Sequence, residues 1–540
     1  MVKLHVALAT ALKENDVATL FGVVGDANAY FVDAYSRMNG ARYVSAANEN
    51  GAALMAIGHA MTTGGVGFCT VTHGPALTNC VTALTEGVRS NTPVVLLCGD
   101  TPAKDRENLQ NTDQKAVVQA AGAGFEQVRA PGTALDDLAR AVRRAKAERR
   151  PIALNMPADF QWEDVSHRAV SWEVPPLGPT RIEGDALDEA VGIIAAARRP
   201  VVLAGRGAID DEARAALLRL ARRIEAPLAT TIRAKNLFRG EDHVLGVCGT
   251  VSTPQAAEAL MTADCIIAFG ASLNFHTTGN GGYVEGKRVI QVADRACDLG
   301  TGAVADVAIL GQPAAVAETF AYWLDEAEVP ASGFTRDLPA TGLDTSPAAK
   351  PATTREGTVD FLTTLARLDA VLPAERTLVT DAGRWMVRSY GLLTAPHPRD
   401  FVTSASFGAI GLGLATAIGA GLAHPDRPTV LFNGDGGFML GNLAEFNAAV
   451  RARMDLIVVL FNDGSYGAEH IQFCDKQLDP AITLFDWPDF VPLARALGGD
   501  GVRVGSAEDL DRLGEALEGR DRERPLLIDV RLDPDHVAMW

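Results

Sequence analysis

Two short stretches carry the residues best suited to chemistry. In "PTVLFNGDGGFML" the turn Gly434, Asp435, Gly436, Gly437 directly follows an apolar run, and "DLIVVLFNDGSYG" ends its own apolar run in Asn462, Asp463, Gly464. Glycines beside Asp435 let the backbone turn sharply and let its N–H groups approach an anion with no Cβ between them. A helix N-terminus after such a turn favours phosphate. Phosphate and a carboxylate repel each other unless a hard cation lies between them. Asp435 therefore reads as an oxygen ligand of Mg²⁺, and the second turn can add ligands from a side chain and a carbonyl.

Both apolar runs read as parallel strands, with one helix expected between them, so both polar turns fall at carboxyl ends, where open α/β sheets bind their ligands. The rest of the chain has the same rhythm. "RYVSAANE", "VGFCTVT", "PVVLLCGD" and "PIALNMP" alternate with helical stretches, then "RPVVLAGRGA", "CIIAFGAS", "KRVIQVAD" and "VAILG", then "RTLVTDAG" and the two runs above with "PLLIDVRL". Such β-α alternation implies parallel sheets. Two stretches rich in Pro, Gly and small polar residues, 171 to 184 and 329 to 357, read as linkers. The expected fold is α/β with three open parallel-sheet domains, spanning 1–170, 185–328 and 358–540. A chain of 540 residues is too long for one core.

Composition narrows the function classes. Hydrophobic content of 47 % with 21 % charge is ordinary for a soluble protein. A net charge of −18 argues against nucleic-acid or anionic-membrane partners, which attract basic patches. Seven cysteines without metal-type spacing suggest reduced thiols in a cytoplasmic protein. The N-terminus starts as an amphipathic helix without the marks of a signal peptide, and no apolar run is long enough for a membrane helix. A nicotinamide dehydrogenase would need GxGxxG after its first strand, and "GRGAID" lacks the third glycine.

The paired turns resemble the diphosphate signature of thiamine-diphosphate enzymes, a Gly-Asp-Gly followed after a helix and a strand by Asn-Asn. The resemblance implies thiamine diphosphate held through Mg²⁺, with metal ligands Asp435, Asp463 and the carbonyl of Ser465. Aligning the family's trailing Tyr-Gly with Tyr466 and Gly467 puts the second Asn at Asp463, although Asn462 would restore the usual spacing. The same resemblance assigns Gly383, Arg384 and Trp385 of "DAGRWM" to the diphosphate. In "SASFGAIGLGLATAIGA" it assigns Ile410 to the wedge between the cofactor's rings and the Gly408 carbonyl to its amino group. Glu49, in "SAANENGAALMAIGHAMTTGGVGFCTVTHGPALTN", matches the glutamate that binds the pyrimidine N1′. His73 stands in the following loop where the family usually has Ser.

The resemblance spans the chain in the order pyrimidine-binding, central Rossmann-like, and diphosphate- and Mg-binding domain, and it fixes the cofactor better than the substrate. Asp26, in "FGVVGDANAY", lies where the pyruvate decarboxylase branch has a catalytic Asp, whereas Gln110 matches a pocket glutamine of acetolactate synthases. "GRGA" resembles the synthases' flavin domain, yet "GASLNFHTTGN" lacks the Arg expected beside FAD, so a vestigial domain is expected in place of a bound flavin. Glu469 and His470 either face the substrate or lie on a solvated helix face. The expected catalytic set is Glu49, Asp26, His73 and Gln110, and the expected activity is non-oxidative cleavage of a 2-oxo acid with possible carboligation. An acetolactate synthase-like carboligase and a non-catalytic homologue are the alternatives. A homodimer or homotetramer with sites at the subunit interface is also implied.

Overall fold

The computed structural model describes the protein over all residues except 103, 106, 175–181, 346–353, 442 and 538–540. Three six-stranded sheets follow one another along the chain, every strand pairing parallel to its neighbours. The expected α/β class with three open parallel sheets is the observed one. In space the first sheet runs Arg42–Ser45, Thr19–Gly22, Gly67–Val71, Val94–Asp100, Pro151–Pro157, Gly124–Gln127. The third runs Phe401–Thr403, Thr377–Thr380, Thr429–Gly434, Leu456–Asn462, Leu526–Arg531, Asp500–Val504. Counted within each domain, both have the order 2-1-3-4-6-5. The central sheet has the order 3-2-1-4-5-6 of dinucleotide-binding folds.

The central strands of each sheet are continuous apolar runs because helices cover both faces. Leu456–Asn462, for example, is buried at every position. The strands that sequence pattern misses are short ones, such as Phe401–Thr403 and Leu228–Thr230, whose three residues give no period to read. The 329–357 stretch is less of a free linker than its composition implies. Phe334 and Leu343 are buried against the central domain, and the Thr335 amide donates to the Glu225 carbonyl at 3.1 Å. Parts of both expected linkers lie outside the described residues.

One element differs from expectation. The segment after the Gly434 turn forms two helices, Asp435–Leu440 and Glu445–Arg451, in place of one. The break falls at Gly441, where a Cβ would sit 2.0 Å from the Gly411 carbonyl oxygen. Backbone contact between these two glycines holds the loop before the helix Gly413–Ala423 against the end of the first short helix.

The first and third domains pack on each other through their equivalent helices, Glu49–Thr63 and Gly413–Ala423. A Cβ at Gly58 would lie 2.1 Å from the Thr416 carbonyl oxygen, and one at Gly419 would lie 1.8 Å from that of Met55. Only glycine lets the two backbones approach this closely. The contact fixes both helix N-termini, and with them Glu49 and the loop carrying Ile410.

Candidate active site

The residues singled out from the sequence lie at or beyond the carboxyl ends of strands. Asp26 follows Thr19–Gly22, Glu49 follows Arg42–Ser45, His73 follows Gly67–Val71 and Gln110 follows Val94–Asp100, which are four adjacent strands of the first sheet. On the third sheet Arg384 and Trp385, Gly408 and Ile410, Asp435, and Asp463 follow the four corresponding strands.

At the third edge the two acidic turns form one site. Asp435 is buried; its Oδ1 accepts from the Gly436 amide at 2.8 Å and its Oδ2 from the Gly464 amide at 2.7 Å. Burial pushes its carboxyl well up from the ordinary range, and the nearby Asp463 carboxylate pushes it further. Asp463 Oδ1 accepts from the Ser465 amide and hydroxyl, and its Oδ2 pairs with the Arg384 guanidinium at 2.6 Å. The Ser465 carbonyl oxygen faces Gly436, 3.6 Å from where a Cβ would stand. Asn462 points elsewhere, donating from Nδ2 to the buried Asp529 at 2.8 Å.

The glycines keep this turn open. A Cβ on Gly436 would meet the Tyr466 ring at 2.7 Å, one on Gly437 would meet Asn433 and Asp381 oxygens at 3.0 Å, and one on Gly434 would lie 3.2 Å from the Trp385 indole nitrogen. Gly467 makes room for Arg384, whose Nε would be 2.3 Å from its Cβ. Among the described residues, Trp385 Nε1 and both polar atoms of the Asn433 side chain are buried without a hydrogen-bond partner. Orphaned donors beside a glycine cradle and a pair of oxygen-only acidic ligands suit an anion bridged to a hard cation. The residues present therefore fit Mg²⁺ and a diphosphate.

The neighbouring loop is held by a residue that the sequence reading missed. Asp381 is fully buried, and its carboxylate accepts from the Gly411 amide at 2.7 Å, the Leu412 amide at 3.3 Å and the Ser404 hydroxyl at 3.2 Å. Burial raises its pKa to about 6 against the pull of those donors. Gly408 in this loop has φ +78°, the left-handed region that glycine adopts at no cost. Ile410 is half-buried, so its side chain is not taken up by the core.

At the first edge Asp26 and His73 come together through Thr72. The Thr72 hydroxyl donates to Asp26 Oδ1 at 2.7 Å and lies 3.3 Å from His73 Nδ1, while Asp26 Oδ1 is 4.0 Å from that nitrogen. His73 is buried, Asp26 exposed, and His73 Nε2 has no partner among the described residues. Gln110 packs its backbone against Gly74, where φ is +62° and a Cβ would lie 2.2 Å from the Gln110 carbonyl oxygen. The buried Gln114, also missed, accepts from the Gly74 amide at 2.7 Å and so fixes the turn after His73. Glu49 opens its helix, capped by Asn48, and its Oε2 accepts from Asn79 at 2.9 Å. No hydrogen bond or ion pair among the described residues joins Glu49 to the Asp435 turn.

Two buried glutamates tie the edges together. Glu86 of the first domain accepts from the amides of Ser406 and Phe407, at 3.1 and 2.7 Å, just before Gly408. Glu445 of the third domain accepts from the amides of Ala47 and Asn48, just before Glu49. Burial raises Glu445 to about 7. Neither glutamate has a sequence signal beyond a helical position, since its partners lie about 320 and 398 residues away.

A cavity of about 510 Å³ lies where the three domains meet. It is lined from the central sheet's carboxyl edge by Arg206, Arg233 and Asp298, and from the third domain by Gly383 and Ser406. All seven cysteines are free thiols, and no described helix is long and apolar enough to cross a membrane.

Known proteins resemble the chain over its whole length. Residues 2–121 match the domain described as thiamine pyrophosphate enzyme, N-terminal TPP binding domain; residues 187–320 match the central domain of such enzymes, and 379–530 their C-terminal TPP binding domain. A probable acetolactate synthase large subunit from Methanocaldococcus jannaschii is 27 % identical, over 98 % of this chain and 91 % of its own. A sulfoacetaldehyde acetyltransferase from Alcaligenes xylosoxydans is 28 % identical, over 93 % of this chain and 88 % of its own. The solved structure of a thiamine diphosphate-dependent 4-hydroxybenzoylformate decarboxylase from Rhodococcus jostii shares the fold. Its TM-score is 0.82 at 22 % identity, covering 98 % of this chain and 99 % of that one.

Proposed function

The chain belongs to the thiamine pyrophosphate enzyme family across all three of its domains, and from that premise we propose that it cleaves the carbon–carbon bond beside the carbonyl of a 2-oxo acid without oxidation. Carboligation to an acceptor competes when one is present. The observation that carries this reading is the Asp26, Thr72, His73 cluster on the same sheet edge as Glu49. A carboxylate and an imidazole linked through a hydroxyl can deliver a proton at neutral pH, which the decarboxylation outcome requires.

Thiamine diphosphate, when bound, accepts the electron pair released with CO₂, so the protein supplies binding, orientation and proton transfer. Asp435, Asp463 and the Ser465 carbonyl would hold Mg²⁺, and the Gly434 to Gly437 turn, Gly383 and the Trp385 indole N–H would receive the diphosphate. Arg384 balances the Asp463 carboxylate and lies beside Gly467. The Gly408 carbonyl and the Ile410 side chain set the cofactor's shape. With the cofactor bound, Glu49 would hold the proton shared with the pyrimidine N1′, and Gln110 would orient the substrate beside His73.

Glu49 and the metal turn meet between two copies of the chain, as a homodimer or homotetramer. Two observations support this. Among the described residues the Glu49 carboxylate accepts a hydrogen bond from Asn79 of its own chain alone, and Leu109, Phe407, Leu440 and Ile482 are exposed apolar side chains around the two edges. Exposed apolar side chains clustered near a site mark an interaction surface.

The relatives named as acetolactate synthases, together with Gln110, favour a second reading, an acetolactate synthase-like carboligase. The experiment that separates the two supplies pyruvate and larger 2-oxo acids, aliphatic and aromatic, and quantifies CO₂, aldehyde, acyloin and acetolactate by mass spectrometry. It is repeated with Asp26→Asn and His73→Gln. The decarboxylase reading expects aldehyde as the main product and a shift toward ligated product in both variants. Acetolactate as sole product, with ratios untouched by either substitution, replaces it with the synthase reading.

A further inference from the structure

The helix Gly467–Asp475 carries His470 and Cys474 four residues apart, hence on one face. The C-terminal segment brings Asp535 to the same place. His470 Nε2 lies 2.8 Å from Asp535 Oδ1 and 3.8 Å from Cys474 Sγ, and the three ligand atoms all lie within 4.8 Å of one another. His470 is buried, while Cys474 and Asp535 are exposed, so the group opens to solvent on one side.

The hydrogen bonding fixes which imidazole nitrogen is free. The Thr483 hydroxyl donates its one hydrogen to the Pro480 carbonyl at 2.6 Å, which leaves its oxygen as an acceptor for His470 Nδ1–H at 3.1 Å. Nε2 of a neutral ring then carries a lone pair aimed at a carboxylate oxygen, and two acceptors at 2.8 Å repel unless a proton or a cation lies between them. The sulfur converges on the same nitrogen. In a nucleophile–base–acid relay the carboxylate would hold the far nitrogen, whereas here carboxylate and thiol share one, with the far nitrogen oriented by a hydroxyl. That is the pattern of metal ligands with an outer-shell support.

We propose that His470 Nε2, Cys474 Sγ and Asp535 bind one divalent cation of the zinc class, with water in the fourth position. Zinc takes sulfur at about 2.3 Å and nitrogen or oxygen at about 2.0–2.2 Å, so its tetrahedral ligands stand roughly 3.3–3.6 Å apart. From the observed separations, Nε2 and the carboxylate oxygen must part by about 0.5 Å, Nε2 and Sγ must close by a few tenths of an ångström, and Sγ and the carboxylate must close by at most about 1.2 Å, movements within reach of the two exposed side chains. A thiolate and a carboxylate neutralise the dication. Mg²⁺ does not suit the site, because hard cations reject sulfur. The cation would clip the C-terminal segment, whose Pro534 carbonyl already accepts from Arg384 at 2.8 Å, to the helix that follows Asp463.

The test uses the full chain with saturating thiamine diphosphate and Mg²⁺, titrated with Co²⁺ as a spectroscopic probe. The expected result is one equivalent of Co²⁺ per chain with thiolate-to-cobalt charge-transfer absorption in the near ultraviolet, abolished by added Zn²⁺. The absorption is lost in Cys474→Ser, the affinity falls by about tenfold or more in Asp535→Asn, and both are retained in Cys297→Ser, which changes the other exposed thiol. Absence of the absorption in the unsubstituted protein overturns the proposal and leaves a hydrogen-bonded His470–Asp535 pair. An unchanged absorption in Cys474→Ser, or unchanged affinity in Asp535→Asn, overturns it equally.

Discussion

The first and third domains share a strand order, pack through equivalent helices, and hold each other's loops with equivalent carboxylates, yet their edges are built for different work. Glu86 and Glu445 each sit on a helix after the third strand of their own domain, and each receives two amides from the loop after the second strand of the other. This reciprocal clasp pairs four loop amides across the domain junction, and a hydrogen bond contributes about 0.5–1.5 kcal/mol net. Beyond it the equivalent positions diverge. After the third strand one domain has His73, Gly74 and Pro75, and the other has Asp435 between glycines. After the fourth, one has Gln110 and the other Asp463. A duplicated frame carries the carboxylate and imidazole proposed for proton exchange on one edge and the carboxylates proposed to hold the cation on the other.

The division of labour can be broken most severely at the third edge. Asp435→Ala is expected to abolish Mg²⁺-dependent binding of thiamine diphosphate, a larger loss than the roughly 10–100-fold that removing an outer-shell partner costs. Calorimetry with Mg²⁺ present and absent checks it, and unchanged affinity would contradict the metal assignment. Asp463→Ala should weaken binding strongly, whereas Asn462→Ala should act mainly on stability, because its amide is committed to Asp529. The reverse outcome moves the metal ligand by one residue.

Whether the two edges meet within one chain or between two is decided by complementation. Mixing Glu49→Gln and Asp435→Ala chains after mild dissociation yields heterodimers in which one site carries both substitutions and the other neither. Random pairing should then restore about one quarter of the unsubstituted activity, from two nearly inactive parents. No recovery would place both residues of a working site on the same chain.

The smallest expected effect concerns two buried carboxyl groups, Glu445 of the clasp and Asp381 beneath the neighbouring loop. Asp381 and Glu445 have folded-state values raised to about 6 and about 7, above their ordinary 3.8 and 4.5. Between those limits the folded protein holds protons that the unfolded chain has released, so these groups cost stability as pH rises from about 4 to 7, with the full cost in place above 7. Glu445→Gln removes one of the two titrations. The Tm difference between the unsubstituted protein and the variant should therefore turn against the former between pH 5 and pH 8; a pH-independent difference would show that Glu445 does not titrate there.

What the sequence reveals follows from range. Long apolar strands announce themselves, and so do Gly434 to Gly437 and Asn462 to Gly464, because turn chemistry and helix dipoles act over a few residues. The meeting of Asp26 and His73 is not readable from spacing, since it needs adjacent strands and the intervening Thr72. Glu86, Glu445, Asp381 and Gln114 are invisible for the same reason, each being an ordinary polar residue until a distant backbone amide is brought to it. The single helix expected after Asp435 fails at Gly441 because a tertiary contact with Gly411, not local propensity, decides where that segment bends. Arg384 shows the same limit, since only the fold reveals that its guanidinium is paired with Asp463.

The account turns on the two edges having separable roles, and Glu49→Gln measures this most directly. With Mg²⁺ present, thiamine diphosphate affinity and turnover of the best 2-oxo acid are determined on the same preparation. The account predicts affinity close to that of the unsubstituted protein and a turnover lower by about 10²–10⁴-fold, the range for a lost proton-transfer group. Turnover within threefold of the unsubstituted protein, or a loss of cofactor binding equal to the loss of turnover, would contradict it.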